Sequence, residues 1–228
     1  MDIDSATIDD SGEVLTSACG VSRAAEMMRG LGPGRRLVGV SKGQFSSIDL
    51  VEAGTAIVGP AHLLVTTWTI GRRDAEVLAR LVRDGRLLSV RVLCDRSFPT
   101  RHPDRLRRVV EALSGVLDVS RDIALTRTHA KFWVLTGGRH PMACRTSMNL
   151  NTNRRFECFD IDCDERVSSF LIGVADEVLS GGWEPAVSEV GERFERAMGG
   201  VAGGRSDAAG RQLASIGAGR TTVRRLRG

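Results

Sequence analysis

A strand–helix–strand unit constrains the fold of this chain most strongly. Residues 62–68 form an apolar, β-branched run typical of a buried strand, and apolar residues recur at helical spacing over residues 72–84. The Asp84-Gly85 turn ends this helix, and a second apolar strand follows at 87–94. Such units normally make parallel strands joined by a right-handed crossover, so the sequence predicts an α/β fold.

The rest of the chain supplies further elements of the same kind. We therefore expect a mostly parallel mixed central sheet that is flanked by helices. The predicted strands outside the unit are 37–40, 116–119, 128–136 and 142–148. The predicted helices outside it are a helical pattern over 14–28, a short helix at 47–54, one of about a dozen residues after the prolines of 97–103, and one at 167–179.

Composition divides the chain into three regions. Residues 1–34 form an acidic N-terminal arm or helix, and residues 35–185 hold the α/β domain. Residues 186–228 are predicted to form a C-terminal helix and a flexible tail rich in Gly and Arg, because large apolar residues are few there. A length of 228 residues suits one catalytic domain and is short for two.

The cysteines and the hydropathy exclude several classes of protein. The five cysteines are spread along the chain without a C-x-x-C pair, which argues against a disulfide framework and a structural zinc site. We expect no metal and no cofactor. The N-terminus lacks a secretory signal pattern, and no apolar run approaches the ~20 residues that a membrane helix needs. These features predict a cytoplasmic protein that does not act at a membrane.

One group of polar residues could carry chemistry. His129 and Lys131 are two positions apart in a predicted strand, so their side chains share a face, and Ser147 and Asn149 repeat this spacing. If the two strands form a hairpin, one surface carries a nucleophile, a cation, a hydroxyl and an amide, which suits phosphoryl transfer. Glu157 could accept a hydrogen bond from the other ring nitrogen of His129 and fix its tautomer.

His129-x-Lys131, followed by Ser147-x-Asn149 and Glu157, resembles the HKD motif of the phospholipase D superfamily, H-x-K-x4-D-x6-G-S-x-N. The resemblance covers residues 35–185 and implies a phospholipase D-like domain. Further stretches are similar to those of small phospholipase D-like proteins found in phage and prophage regions, so a phage or prophage origin is expected. These stretches are residues 41–46, 67–69, 96–98 and 146–151.

The resemblance also implies a mechanism. In this family two HKD motifs meet at one site, one His forms a covalent phosphohistidine, the other protonates the leaving group, and no metal is required. This chain has a single H-x-K, so the complete site implies a homodimer that brings together His129 from each protomer. The chain departs from the family at Thr136, where the motif Asp would fall, and at Thr146, where the motif has Gly.

Positive charge is concentrated around this motif. Residues 121–155 contain six arginines and Lys131 against a single acid, Asp122. A cationic surface around phosphodiester chemistry indicates a nucleic-acid partner, most simply DNA. An alternative is that several of these arginines pair with the acidic residues after Glu157. The predicted nucleic-acid-binding residues are Arg127, Arg145, Arg154, Arg155 and Lys42; Lys42 lacks the context of a nucleotide phosphate loop.

Three other residues have bland interpretations. Trp133 could pack in the core or a dimer interface, or could line the site. His140 precedes Pro141 in a turn and is expected to be solvated. His62 is expected to be a structural histidine with its hydrogen bonds satisfied.

The sequence thus supports two functions from different classes. The first is a metal-independent phosphodiesterase, most simply an endonuclease, with His129, Lys131, Asn149, Ser147 and Glu157 as its catalytic residues. The second is a catalytically inactive phospholipase D-like protein that binds nucleic acid. Phospholipid cleavage has little support, because no membrane-binding segment is visible.

Overall fold

The computed structural model of the chain describes residues 7–8, 15–17, 23–152 and 154–180. The predicted C-terminal helix and flexible tail at 186–228 lie outside the described residues.

The described part of the chain forms one mixed sheet of nine strands, in the order β1-β2-β3-β9-β8-β7-β4-β5-β6. The two short strands β1 and β2 extend one edge beyond the seven others. The strands are β1 Thr7–Ile8, β2 Leu15–Ser17, β3 Arg36–Ser41, β4 Ala61–Thr67, β5 Leu87–Asp95, β6 Ile123–Thr126, β7 Phe132–Thr136, β8 Met142–Thr146 and β9 Glu157–Asp162.

Helices connect these strands and cover both faces of the sheet. The helix α2 begins with a capping box, in which Ser46 and Asp49 bond each other's backbone N–H groups. The helices of the described residues are α1 Ala24–Met27, α2 Ser47–Val58, α3 Arg72–Arg83, α4 Phe98–Arg101, α5 Pro103–Leu113, α6 Val119–Asp122 and α7 Glu165–Leu179.

The prediction of a mixed α/β sheet flanked by helices is confirmed, and β4-α3-β5 is the predicted parallel unit. The expectation that parallel pairing dominates is wrong. Parallel pairs occur at β2-β3, β4-β5 and β5-β6, while the other five pairs are antiparallel. The reason is the tight β7-β8 hairpin, which must be antiparallel and which lies with β9 between β3 and β4.

The core has two layers, one on each face of the sheet. Trp133 and Leu135 point to the face that carries α2, α3 and α5, and Trp133 is 0% exposed. Phe132 and Val134 point to the other face, where they pack with Leu171 of α7. Alternate residues of β7 are therefore buried on both sides, which explains why its sequence is apolar without interruption. Of the alternatives for Trp133, the structure shows core packing.

Several local predictions differ from the structure. Residues 116–119 do not form a strand, because Asp118 accepts a hydrogen bond from the Ser120 backbone N–H and caps α6 instead. The helical pattern over 14–28 contains β2 and the short helix α1. The strands β1, β6 and β9 are absent from the sequence-based prediction, although Phe159 and Ile161 of β9 alternate with acidic residues.

The topology brings one end of the sheet together as a candidate binding edge. The strands β3, β4, β5, β6 and β8 run in the same direction, and β7 and β9 run against them. The carboxyl ends of the first group therefore meet the amino ends of β7 and β9 at one edge, which we call the carboxyl edge. In α/β sheets, ligands usually bind outside this edge.

Within the part of the chain that the structure describes, none of the helices has the length and apolar character needed to cross a bilayer.

Candidate active site

His129 and Lys131 lie at the carboxyl edge, in an extended segment that leads into β7. The predicted strand begins later than expected, at Phe132. The segment is nevertheless fixed at both ends: the Thr128 N–H donates to Asp95 Oδ2 at 3.2 Å, and Thr66 Oγ1 donates to the Ala130 carbonyl at 3.1 Å. The exposed His129 ring is therefore presented to solvent from an anchored backbone.

The Lys131 ammonium lies beside the imidazole of His129. Its Nζ is 3.4 Å from both ring nitrogens and donates to the His129 carbonyl at 2.9 Å. Partial burial lowers the pKa of Lys131 from its ordinary value, and the Glu157 carboxylate opposes this shift. An anion bound to His129 would thus meet a positive charge that bulk water screens less than at an open surface.

Asn149 is held in a defined orientation at the same edge. Its Oδ1 accepts a hydrogen bond from the Trp68 backbone N–H at 3.1 Å, and a backbone N–H can only donate, so the oxygen must face Trp68. The neighbouring Leu150 N–H donates to Thr67 Oγ1 at 3.0 Å, which ties this loop to the end of β4. The amide nitrogen of Asn149 keeps two N–H donors for a ligand, because it has no acceptor among the described residues.

Ser147 and Glu157 form a second hydrogen-bonded unit next to this loop. Ser147 Oγ donates to Glu157 Oε2 and accepts from the Cys158 backbone N–H at 3.0 Å. The Ser147 N–H in turn donates to the Cys158 carbonyl at 3.0 Å. The carboxylate of Glu157 is thereby placed at the amino end of β9, close enough to Lys131 to act on its pKa. That Glu157 orients His129 stays a prediction.

All five predicted catalytic residues therefore belong to the carboxyl edge. The position of the missing motif acid is elsewhere: Thr136 is the last residue of β7 and pairs with His62 at the opposite end of the sheet. The change at Thr136 thus removes no group from the surroundings of His129. Thr146, in place of the motif Gly, donates through Oγ1 to the Cys158 carbonyl at 2.8 Å and so joins β8 to β9.

Trp68 lies next to His129, and the sequence had predicted no functional role for it. The Trp68 ring lies edge-on to the His129 ring, with 6.1 Å between ring centroids, and also to the His102 ring, at 6.4 Å. The Arg101 guanidinium lies 5.6 Å from the centroid of the Trp68 ring. Trp68 follows β4 directly, and its place at the carboxyl end of a predicted parallel strand was the signal that could have identified it.

The structure places four of the five predicted nucleic-acid-binding residues at or beside the carboxyl edge. Lys42 follows β3 and Arg127 follows β6, while Arg154 and Arg155 lie exposed in the loop between β8 and β9. Arg145 is directed away from this edge.

Arg145 instead belongs to an ion-pair group near the middle and far end of β9. Its guanidinium bonds Asp162 at 2.9 Å and lies 3.7 Å from Asp160. Arg36, the first residue of β3, also bonds Asp162, whose side chain is 5% exposed. The alternative that some arginines pair with the acids after Glu157 thus holds for Arg145.

Two other histidines, His62 and His140, lie away from His129. His62 is exposed at the start of β4, and its Nδ1 is 2.8 Å from Ser89 Oγ, so its expected structural hydrogen bond is present. The expectation that His140 is solvated is wrong, because the residue is half-buried and its Nε2 is buried without a hydrogen-bond partner in the described part of the chain. Burial lowers the pKa of His140, and Arg139 adds to this shift.

No group of three or more His, Cys, Asp or Glu side chains suited to a metal ion occurs among the described residues. A comparison with models of known protein families and a search of curated proteins find no match to this chain.

Proposed function

We propose that this protein is a metal-independent phosphodiesterase that cleaves nucleic acid through His129. The observation that carries the proposal is the position of the Lys131 ammonium, 3.4 Å from both ring nitrogens of His129, at the edge where Asn149 offers its amide N–H donors. A nucleophile, a cation and a fixed amide at one edge match what a phosphoryl transfer site requires.

The chemistry follows in two displacements. An imidazole nitrogen of His129 attacks phosphorus, a P–N bond forms, and the P–O bond to the leaving group breaks. The leaving oxygen takes a proton from a general acid. Water then attacks phosphorus and gives a proton back to that group, a new P–O bond forms, and the P–N bond breaks to release the product and the free imidazole. Lys131 and Asn149 bind the non-bridging oxygens, whose charge grows in the transition state. Ser147 supports this loop through its bonds to Glu157 and Cys158.

The general acid is proposed to come from a second copy of the chain. In a two-fold symmetric dimer, each His129 faces the other across the axis, so that one attacks while the other protonates the leaving group. A homodimer thereby supplies both histidines from a single motif. A protein that is strictly monomeric at micromolar concentration and still cleaves DNA would contradict this part of the proposal.

The decisive experiment compares His129→Ala with His62→Ala. His62 is an exposed histidine at the start of β4, at the end of the sheet away from His129, and serves as a matched control. We expect the wild-type protein and His62→Ala to cleave plasmid and oligonucleotide DNA in the presence of EDTA, and His129→Ala to be inactive. Cleavage that survives in His129→Ala overturns the site, and cleavage that EDTA abolishes overturns the metal-independent mechanism.

The second candidate is a binding protein without catalysis. The exposed arginines of the β8-β9 loop favour it, because they can hold a polyanion whether or not His129 reacts. Salt-sensitive DNA binding with no cleavage at any pH between 5 and 9 supports this candidate.

A further inference from the structure

A cleft of about 560 Å³ opens where α3 and α5 begin. Its walls include the first turns of both helices, together with Asn151 and Thr152, which come directly after the site loop that holds Asn149. The cleft therefore adjoins the proposed active site in the chain and in space, although none of its lining residues was among the predicted catalytic or binding residues.

The cleft is strongly cationic. Five arginines line it: Arg72, Arg73, Arg101, Arg105 and Arg108. Two of them have carboxylate partners, since Arg72 pairs with Glu76 at 2.7 Å and Arg73 with Asp49 at 2.7 Å. The other three form no ion pair with any described residue; Arg105 reaches Thr69 Oγ1 at 3.4 Å and Arg101 lies against Trp68. Three guanidinium groups are thus left to bind an anion.

Among the described residues, the cleft has only two acids, Asp74 and Asp104, against its five arginines, and both acids bond groups outside the cleft. Asp74 is 2% exposed and accepts a hydrogen bond from Ser46 Oγ at 2.7 Å, and burial raises the pKa of its carboxyl group. Asp104 lies 3.4 Å from Arg107, which is not part of the cleft. The backbone adds to the positive potential, because neither α3 nor α5 has a side-chain cap on its first N–H groups.

The Trp68 ring connects the cleft to His129. It lies edge-on to the His129 ring and also to the His102 ring, and His102 lines the cleft. A ligand that occupies both places must present one anion at His129 and further anions beyond Trp68. Nucleic acid has this repeating arrangement, and its bases can stack near an aromatic ring and a guanidinium group.

We infer that this cleft binds the phosphates of a nucleic-acid strand that flank the phosphodiester held at His129. The identity of that reacting phosphodiester rests on the proposed function, whereas the cleft itself is argued from its own arginines. Arg105 and Arg108 are the principal contacts, because both come from α5, face the cleft and have no carboxylate partner among the described residues.

The test uses two double variants of equal net charge. Arg105→Ala/Arg108→Ala removes the cleft contacts, and Arg83→Ala/Arg91→Ala removes two arginines that lie outside the cleft. Binding of a fluorescein-labelled single-stranded 20-nucleotide DNA is measured by anisotropy between 50 and 200 mM salt, with His129→Ala present in every protein so that the DNA stays intact. Circular dichroism establishes that each variant is folded.

We expect the cleft double variant to raise Kd at least tenfold and the control to change it less than threefold. The slope of log K against log salt is negative, and its magnitude should decrease by about 1.4 in the cleft variant, since each of the two lost phosphate contacts on a single strand contributes about 0.7. Equal affinities of the two double variants overturn the inference. Should the double variant not fold, Arg108→Ala, which truncates an exposed side chain, must still weaken binding more than Arg83→Ala does.

A small substrate separates this inference from the proposed function. With His129 restored, the cleft variant should hydrolyse bis(4-nitrophenyl) phosphate at the wild-type rate, because this phosphodiester does not reach the cleft, and should cleave the 20-nucleotide DNA at least tenfold more slowly. If no protein hydrolyses either substrate while the cleft variant still loses DNA affinity, the cleft stands and the proposed function fails. If hydrolysis depends on His129 but the cleft variant keeps the wild-type DNA affinity, the proposed function is supported and the inference about the cleft fails.

Discussion

Asn149 provides the sharpest test of the proposed chemistry, because its two amide atoms have different tasks. Oδ1 accepts the Trp68 N–H at 3.1 Å, and the amide nitrogen is proposed to donate to the substrate phosphate. Asn149→Asp keeps an oxygen for Trp68 but removes both N–H donors and adds a negative charge. Asn149→Ala removes the donors and the acceptor together.

The two substitutions should therefore separate stability from activity. Loss of one preorganised donor costs about 2.7–4 kcal/mol of transition-state stabilisation, or 10²–10³ in kcat. The added carboxylate also repels the phosphate, by about 4 kcal/mol for unit charges 4 Å apart at an effective dielectric constant of 20. Asn149→Asp should thus lower activity at least ~10³-fold. Asn149→Ala lowers activity by ~10²–10³, and it leaves the Trp68 N–H without its partner at a cost of about 1 kcal/mol or more.

Urea unfolding and EDTA-resistant cleavage of DNA, measured on both variants and the wild-type protein, test this order. We expect Asn149→Asp to unfold within ~0.5 kcal/mol of the wild type and to be the less active variant, and Asn149→Ala to be the less stable one. An Asn149→Asp protein whose activity stays within tenfold of the wild type refutes the assignment of the amide to the phosphate.

Two further predictions concern the packing around the site. A Cβ at residue 39 would lie 2.2 Å from Phe159 Cζ, so Gly39→Ala should lower the free energy of unfolding in urea by about 1–3 kcal/mol. The control Gly32→Ala, with no atom within 4 Å of its Cβ, should change this free energy by less than ~0.5 kcal/mol. Equal unfolding midpoints of the two variants would show that the Phe159 ring moves freely. Asp74→Asn should raise the melting temperature at pH 7–8, because burial raises the pKa of Asp74 and its stabilising contribution is lost as pH rises through that pKa. This gain should disappear below the ordinary carboxyl pKa of 3.8, and a gain that is independent of pH would contradict the titration of Asp74.

The sequence predicts the architecture well where apolar periodicity is strong. The β4-α3-β5 unit was predicted because its strands are rich in apolar and β-branched residues and its helix has apolar residues on one side. Pairing of the two site strands as a hairpin was the condition for one shared surface, and β7 and β8 pair in this way. The position of β9 between β3 and β8 could not be predicted, because strand order depends on contacts between residues far apart in the chain.

The residues of the candidate site were named from the sequence, whereas the groups that surround them were not. The spacing of His129 and Lys131 placed their side chains together, and the structure brings them to 3.4 Å. The arginine cleft escaped prediction because its walls come from α3, α5 and the loop after Asn149, which are separate in sequence. Arg145 illustrates the converse: local charge density suggested a ligand contact, while the ion pair to Asp162 depends on the register of β8 against β9.

The place of β9 in the sheet has a consequence for biosynthesis. Arg36 of β3 bonds Asp162 of β9, which lies 126 positions later, so β3 remains without its β9 neighbour while most of the domain is being translated. Glu157 enters the site with this same strand. A nascent chain or a fragment cut before β9 therefore carries His129 and Lys131 without the strand that completes their surroundings. Because Glu157 is one of the proposed site residues, the phosphate chemistry proposed for this protein requires translation through β9.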